Sequence, residues 1–265
     1  MNMKPVLGSQ IQLGHPLSKG LIGYWVMNEG SGTIIRDVSG NGNTGTITSA
    51  PWVAGKFGSA LSFNGSPTKV STPLTYSGNE ITYACWFNAT NLKGSNRDCI
   101  VGTGWLTRVG HVFLVQRSTS EGLIYFGIGR ADSSGASSYS IPGFAVGRWY
   151  FIVTTVNVNT SPVCTLYLDG KKVHSSKSPV GETISCTHTI GIGYGYDLSY
   201  FSGLIDNVMI YNRALTDQEI ASLYTDPYQM FRSRHLPLWV GATSVGEAPP
   251  VATGYMTLNT GFWGP

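Results

Sequence analysis

A chain of 265 residues with a formal net charge of +3 has room for one large domain plus extensions. Its positive charge is too small and too scattered to mark a nucleic-acid binder. Only 12% of residues are charged and 34 are glycine, a composition that suits short strands joined by tight turns. No run of about 18 apolar residues occurs, so no membrane insertion is expected, and Met1–Gly20 lacks the apolar stretch of a signal peptide.

Apolar runs with strand character recur along the chain, separated by turn residues. They predict strands at Gly20–Met27, Ala60–Phe63, Ile81–Asn88, Cys99–Gly102, His111–Gln116, Leu123–Ile128, Trp149–Val158, Cys164–Leu168, Thr189–Gly193 and Gly203–Tyr211. β-branched residues dominate Trp149–Val158, which favours a pleated surface over a helix. Asp169-Gly170 lies between Leu166-Tyr167-Leu168 and Lys171-Lys172-Val173, a two-residue hairpin signal because the turn requires positive φ at both central positions. One helix is expected at Thr216–Tyr224. Thr216 and Glu219 form a capping box, Leu215 is placed as its staple, and Ile220, Leu223 and Tyr224 share one face.

After Asp226 the composition changes. Prolines and glycines alternate with Phe231, Leu236, Trp239, Tyr255, Phe262 and Trp263, too many aromatics for an ordinary disordered linker. Two readings stand: a tail packed on its own sandwich, or an arm that binds a neighbouring subunit through these six residues. The domain division expected is an N-terminal arm at 1–17, a sandwich at 18–225 and a C-terminal arm at 226–265. None of Cys85, Cys99, Cys164 and Cys186 forms a Cys-x-x-Cys pair, so buried thiols are expected rather than a zinc site. Were the strands of Cys85 and Cys99 joined as a hairpin, those two would face each other.

Two distant stretches resemble the ends of one fold. The first is Gly20-Leu21-Ile22-Gly23-Tyr24-Trp25 with Asp37-Val38-Ser39-Gly40-Asn41-Gly42-Asn43. The second is Gly203-Leu204-Ile205-Asp206-Asn207-Val208-Met209-Ile210-Tyr211-Asn212-Arg213-Ala214-Leu215-Thr216. With Trp52–Gly65, Ala84–Phe87 and Leu166–Gly170 between them, they resemble the laminin-G-like, concanavalin A-like jelly-roll family. The resemblance implies an all-β fold: a two-sheet antiparallel jelly-roll sandwich with one short C-terminal helix and an extended tail. The flanks, Gly14–Leu21 and Pro227–Arg232, resemble versions encoded among tailed-phage structural genes.

Related jelly-rolls often hold one structural calcium ion, and Ca²⁺ takes six to eight oxygens. The resemblance therefore implies a metal site at Asp37, Asn41, Asn43 and Asp206. The alternative is that Asp206 accepts backbone hydrogen bonds and Asp37 starts a turn. Carbohydrate binding is expected at loop aromatics, Trp105, Tyr194 and Tyr196 with Asp197, with Tyr200 nearby; Trp86 lies within a strand and is expected in the core. Glycoside hydrolases of this fold resemble one another in a Glu-x-Asp-x-Glu strand, which this chain lacks. The sequence also lacks His-Glu-x-x-His, Gly-x-Ser-x-Gly and a phosphate-binding loop.

The resulting expectation is a non-enzymatic structural or surface-exposed component of a phage-like virion. It would bind other virion proteins or copies of itself, and a glycan through its loops, in a virion or extracellular setting. A soluble bacterial lectin module is the first alternative and a glycoside hydrolase or lyase the second.

Overall fold

The computed structural model describes residues 3–90, 97–103, 112–117, 122–128, 136–176, 183–186, 188–195 and 200–231. The strands in chain order begin with β1 (Leu21–Trp25), β2 (Ile34–Ile35), β3 (Gly45–Thr48), β4 (Trp52–Ala54), β5 (Ser59–Asn64) and β6 (Lys69–Ser71). Next come β7 (Tyr76–Gly78), β8 (Glu80–Ala89), β9 (Arg97–Gly102), β10 (Val112–Arg117), β11 (Leu123–Ile128) and β12 (Ala136–Ser140). The last are β13 (Tyr150–Asn157), β14 (Cys164–Leu168), β15 (Lys171–Ser176), β16 (Ile184–Cys186), β17 (Gly191–Ile192) and β18 (Ser202–Tyr211), followed by helix α1 (Asp217–Thr225).

Two antiparallel sheets form the sandwich. The first runs β15-β14-β13-β8-β18-β5-β4, with β1 also paired to β18; the second runs β12-β11-β10-β9-β17-β6-β3-β2. A small β16-β7 pair stands apart. Strand alternation sends one row of each sheet inward, and Trp25, Phe63, Phe87, Val70, Ile100, Phe126 and Ile192 meet there in one buried cluster.

The opposite face of the first sheet is covered too. Ile11 and Leu17 of the N-terminal arm, Leu215, Ile220 and Leu223 around α1, and Tyr228 and Met230 beyond it pack on Tyr24, Ala84, Trp86, Phe151 and Met209. This second burial explains why β8 and β18 read as nearly continuous apolar runs rather than alternating ones. Trp86 is buried in this outer layer, stacked on Tyr224 at 5.6 Å.

The predicted strands are all present, with ends shifted by at most two residues. The Asp169-Gly170 turn has φ of 48° and 77° and joins β14 to β15. The capping box forms on both sides, Thr216 to the Glu219 N–H and Glu219 back to the Thr216 N–H. β8 and β9 do not form a hairpin, because β8 pairs with β13 and β18 in one sheet while β9 pairs with β10 and β17 in the other. All four cysteines are buried thiols without a disulfide. In packing terms the C-terminal arm starts later than 226, since Tyr228 and Met230 belong to the outer layer; residues 232–265 lie outside the described residues.

Candidate functional site

β18 is the axis of the first sheet, and its neighbour changes midway. Ser202–Ile205 pairs with β5, while Val208–Tyr211 pairs with β1. At the handover the register on β8 slips between Asp206 and Met209. Asn207 takes the left-handed φ of 55°, a conformation that Asn tolerates better than most residues. Asp206 is fully buried at this seam. Its Oδ2 accepts the backbone N–H groups of Lys56 at 3.1 Å and Phe57 at 3.4 Å, and its Oδ1 accepts the Lys4 ammonium at 2.5 Å. Burial pushes the Asp206 carboxyl up and the Lys4 ammonium down from their ordinary values, and their mutual attraction works against both shifts.

The other three residues of the expected metal site serve the first loop. Asp37 Oδ1 accepts the N–H of Tyr24 and of Ser39, each at 2.9 Å, and Oδ2 accepts the N–H of Asn43 at 2.8 Å. Asn41 Nδ2 donates to the Leu21 carbonyl and Asn43 Nδ2 to the Ile22 carbonyl. These contacts pin the loop to β1, which is the turn-forming alternative for Asp37. Both carboxylates are satisfied by N–H groups or an ammonium, with Lys4 standing where a cation would meet Asp206. Among the described residues no group of three His, Cys, Asp or Glu gathers in a way that would hold a metal.

The outer face of the second sheet carries a different surface. β3, β6 and β17 lie side by side, with Thr46 opposite Ser71, Thr48 opposite Lys69, and Ser71 opposite Gly191. Their neighbours Ile47, Val70 and Ile192 point into the core, so alternation turns these small and polar residues outward. Thr46 and Thr48 are exposed, and Lys69 and Ser71 half-buried. Tyr194 crosses this row: a Cβ on Gly191 would lie 2.4 Å from its Cε1, so only glycine lets the ring lie down there. Tyr194 stacks on Tyr200 with centroids 6.4 Å apart, and Lys69 Nζ sits 5.0 Å from the Tyr194 centroid.

Of the expected carbohydrate-binding residues, Tyr194 is therefore placed on an outward aromatic pair; Trp105, Tyr196 and Asp197 lie outside the described residues. Sequence reading did not single out Lys69, Thr46, Thr48 or Ser71. The signal available for them was the alternation in Thr68-Lys69-Val70-Ser71 and Thr46-Ile47-Thr48. Among the expected partner-binding residues, Phe231 packs against Tyr24 of its own sandwich at 5.7 Å. It also borders a cavity of about 420 Å³ between arm residues 5–13 and the Arg36–Gly40 loop. Leu236, Trp239, Tyr255, Phe262 and Trp263 lie outside the described residues.

Residues 63–221 match the concanavalin A-like lectin/glucanases superfamily. The chain belongs to this superfamily. Solved structures of the same fold include the binding domain of Paraclostridial mosquitocidal protein 1, with TM-score 0.63 and 17% identity, covering 80% of this chain and 53% of that one. Domain 4 of AbnA, an extracellular arabinanase from Geobacillus stearothermophilus in complex with arabinotriose, gives TM-score 0.57 and 19% identity over 77% of this chain and 98% of that one. Trypanosoma rangeli sialidase gives 0.59 and 19% over 80% and 33%. The chain thus spans about half of the mosquitocidal binding domain and a third of the sialidase. At these identities the likeness shows the fold alone. No curated protein matches the sequence.

Proposed function

We propose that this superfamily member is a non-enzymatic glycan-binding module whose site is the Tyr194–Tyr200 face of the second sheet. The observation that carries the reading is the stacked, half-buried tyrosine pair beside Lys69 and a row of outward hydroxyls. Sugars present apolar ring faces to aromatic planes and hydroxyls to side-chain donors and acceptors, which this surface offers together. Domain 4 of the arabinanase, a chain of similar length and the same fold, was solved with arabinotriose, which supports an oligosaccharide as the ligand class. The described side chains of this face, Thr46, Thr48, Lys69, Ser71, Tyr194 and Tyr200, include no carboxylate pair for general acid and base work. A glycan array probed with the intact chain and with Tyr194→Ala tests the proposal. Retention of a glycan class by the first and its loss in the second is expected; equal retention overturns it, and release of reducing sugar from a bound glycan overturns the non-enzymatic part.

A second reading, component of a phage-like particle, is favoured by the apolar flank of the N-terminal arm. Val6 and Leu13 are 82% and 81% exposed, whereas among the described residues most other apolar side chains are buried. Solvent-exposed apolar residues grouped on one segment suit contact with a neighbouring subunit. Sedimentation of the intact chain against a Val6→Ser, Leu13→Ser variant tests this reading, with assembly expected in the first and lost in the second.

A further inference from the structure

The seam in β18 contains an oxygen cage. Three oxygens converge on Lys4 Nζ: the Met27 carbonyl at 2.9 Å, the Ser59 carbonyl at 2.5 Å and Asp206 Oδ1 at 2.5 Å. They come from the segment after β1, the start of β5 and the middle of β18, so the sandwich itself assembles the cage. Met27 holds a left-handed φ of 58°, and Ser59 Oγ donates to the same Met27 carbonyl at 2.7 Å. Gly55 allows the approach on the other side, since a Cβ there would lie 2.9 Å from Asp206 Oδ2. An ammonium has three donors and no acceptor, so three oxygens satisfy it. The Lys4 side chain is only 7% exposed, and Asn28 Nδ2 donates to the Pro5 carbonyl at 2.8 Å, fixing the next residue of the arm.

We propose that Lys4 is the built-in cation of this cage: its ammonium makes the fold independent of metal, latches the N-terminal arm to the sandwich, and leaves a Ca²⁺-accepting site when it is removed. A carboxylate and two main-chain carbonyls are hard oxygen donors of the kind Ca²⁺ takes, with water completing the shell. The site differs from the one implied by sequence, which joined Asp206 to Asp37, Asn41 and Asn43. Those three residues serve β1, and the oxygens that gather around a cation are main-chain carbonyls that no residue type announces. Without Lys4, Asp206 is left buried and uncompensated, a costly state.

Thermal melts of the full chain in EGTA and in millimolar Ca²⁺ decide the matter. The native chain is expected to melt at the same temperature in both. Lys4→Ala is expected to melt roughly 10 °C lower in EGTA and to regain at least half of that loss in Ca²⁺. Lys4→Ala combined with Asp206→Asn is expected to show no response to Ca²⁺. If Lys4→Ala is unfolded in EGTA, its folding on dialysis into Ca²⁺, followed by circular dichroism, reads the same quantity. Ca²⁺ stabilising the native chain, Lys4→Ala remaining indifferent to Ca²⁺, or the double variant responding to it each overturns the proposal.

Discussion

Arg213 clasps Glu219 with both arms of its guanidinium, Nη1 to Oε2 at 2.8 Å and Nη2 to Oε1 at 2.7 Å. Bidentate pairs of this kind are stronger than single contacts. Arg213 Nε also donates to the Lys19 carbonyl at 2.8 Å, and Glu219 Oε2 accepts the Thr216 N–H at 2.9 Å. One side-chain pair thus ties the entry to β1, the exit from β18 and the first turn of α1.

The pair makes the helix sensitive to acid. Burial pushes the Glu219 carboxyl up, but hydrogen bonds from Arg213 and from the Thr216 N–H outweigh it and hold the carboxyl below its ordinary value. A depressed folded-state value means the contribution is complete above the unfolded value of about 4.3 and is lost as pH falls through the folded one. Glu219→Gln is expected to melt a few degrees lower at neutral pH, in line with about 1 kcal/mol for a cap. The gap between the two proteins should close as the pH is taken below about 4. Melting curves across that range check both statements.

Side chains on the proposed glycan face should be separable from the fold. Tyr194→Ala and Tyr200→Ala each remove a stacking surface of about 0.5–1.5 kcal/mol, a loss in affinity of roughly two- to tenfold for each. Lys69→Ala is expected to weaken binding less. Titration calorimetry with a glycan retained by the intact chain reads the three effects, and unchanged melting temperatures show that the sandwich is intact.

Gly191→Ala provides a test that removes none of the contacting side chains. The added methyl would meet the Tyr194 ring at 2.4 Å, so the ring must lift. Glycan affinity is expected to fall together with a drop in melting temperature, because the same methyl would lie 2.7 Å from the Tyr194 carbonyl oxygen and the backbone must shift as well. Gly193→Ala is the contrasting substitution. Its φ is 76° and its Cβ would fall 2.2 Å from Phe63 Cε1 inside the sandwich, so it is expected to lower the melting temperature sharply.

The buried thiols should be inert in the native state. Burial pushes the Cys85 thiol far above its ordinary value, and thiolate is the reactive species. Alkylation at mildly alkaline pH is expected to leave Cys85, Cys99, Cys164 and Cys186 unmodified until denaturant is added. Mass spectrometry before and after unfolding reads the difference.

The sequence made long, strongly patterned elements legible. β8, β13 and β18 announce themselves as apolar runs, and α1 through Thr216 and Glu219, because those signals are local. Short strands such as β2, β3 and β6 were missed: two to four residues in which Thr, Ser and Lys alternate with one or two apolar side chains look like loop. Whether β8 and β9 pair was not readable, because nearness in sequence does not tell which sheet a strand joins. Asp206 stood out correctly as a carboxylate needing partners. Its partners were not readable, since Lys4 lies 202 residues away and the others are the peptide N–H groups of Lys56 and Phe57, a donor common to nearly every residue. On the second sheet, Tyr194 drew attention by its residue type, whereas Lys69 and the threonines acquire their position only from the register.

The divided strand β18 sets a timetable for synthesis. It is the last of the described strands to be made, yet β1, β5 and β8 all pair with it. Until about residue 211 has left the ribosome, β1 has no edge to join and the arm that Lys4 anchors has no carboxylate to reach. Contacts spanning most of the chain are slow to close, and the waiting strands expose unpaired edges meanwhile. The nascent polypeptide therefore carries its greatest aggregation hazard until β18 has been made and the waiting edges are paired.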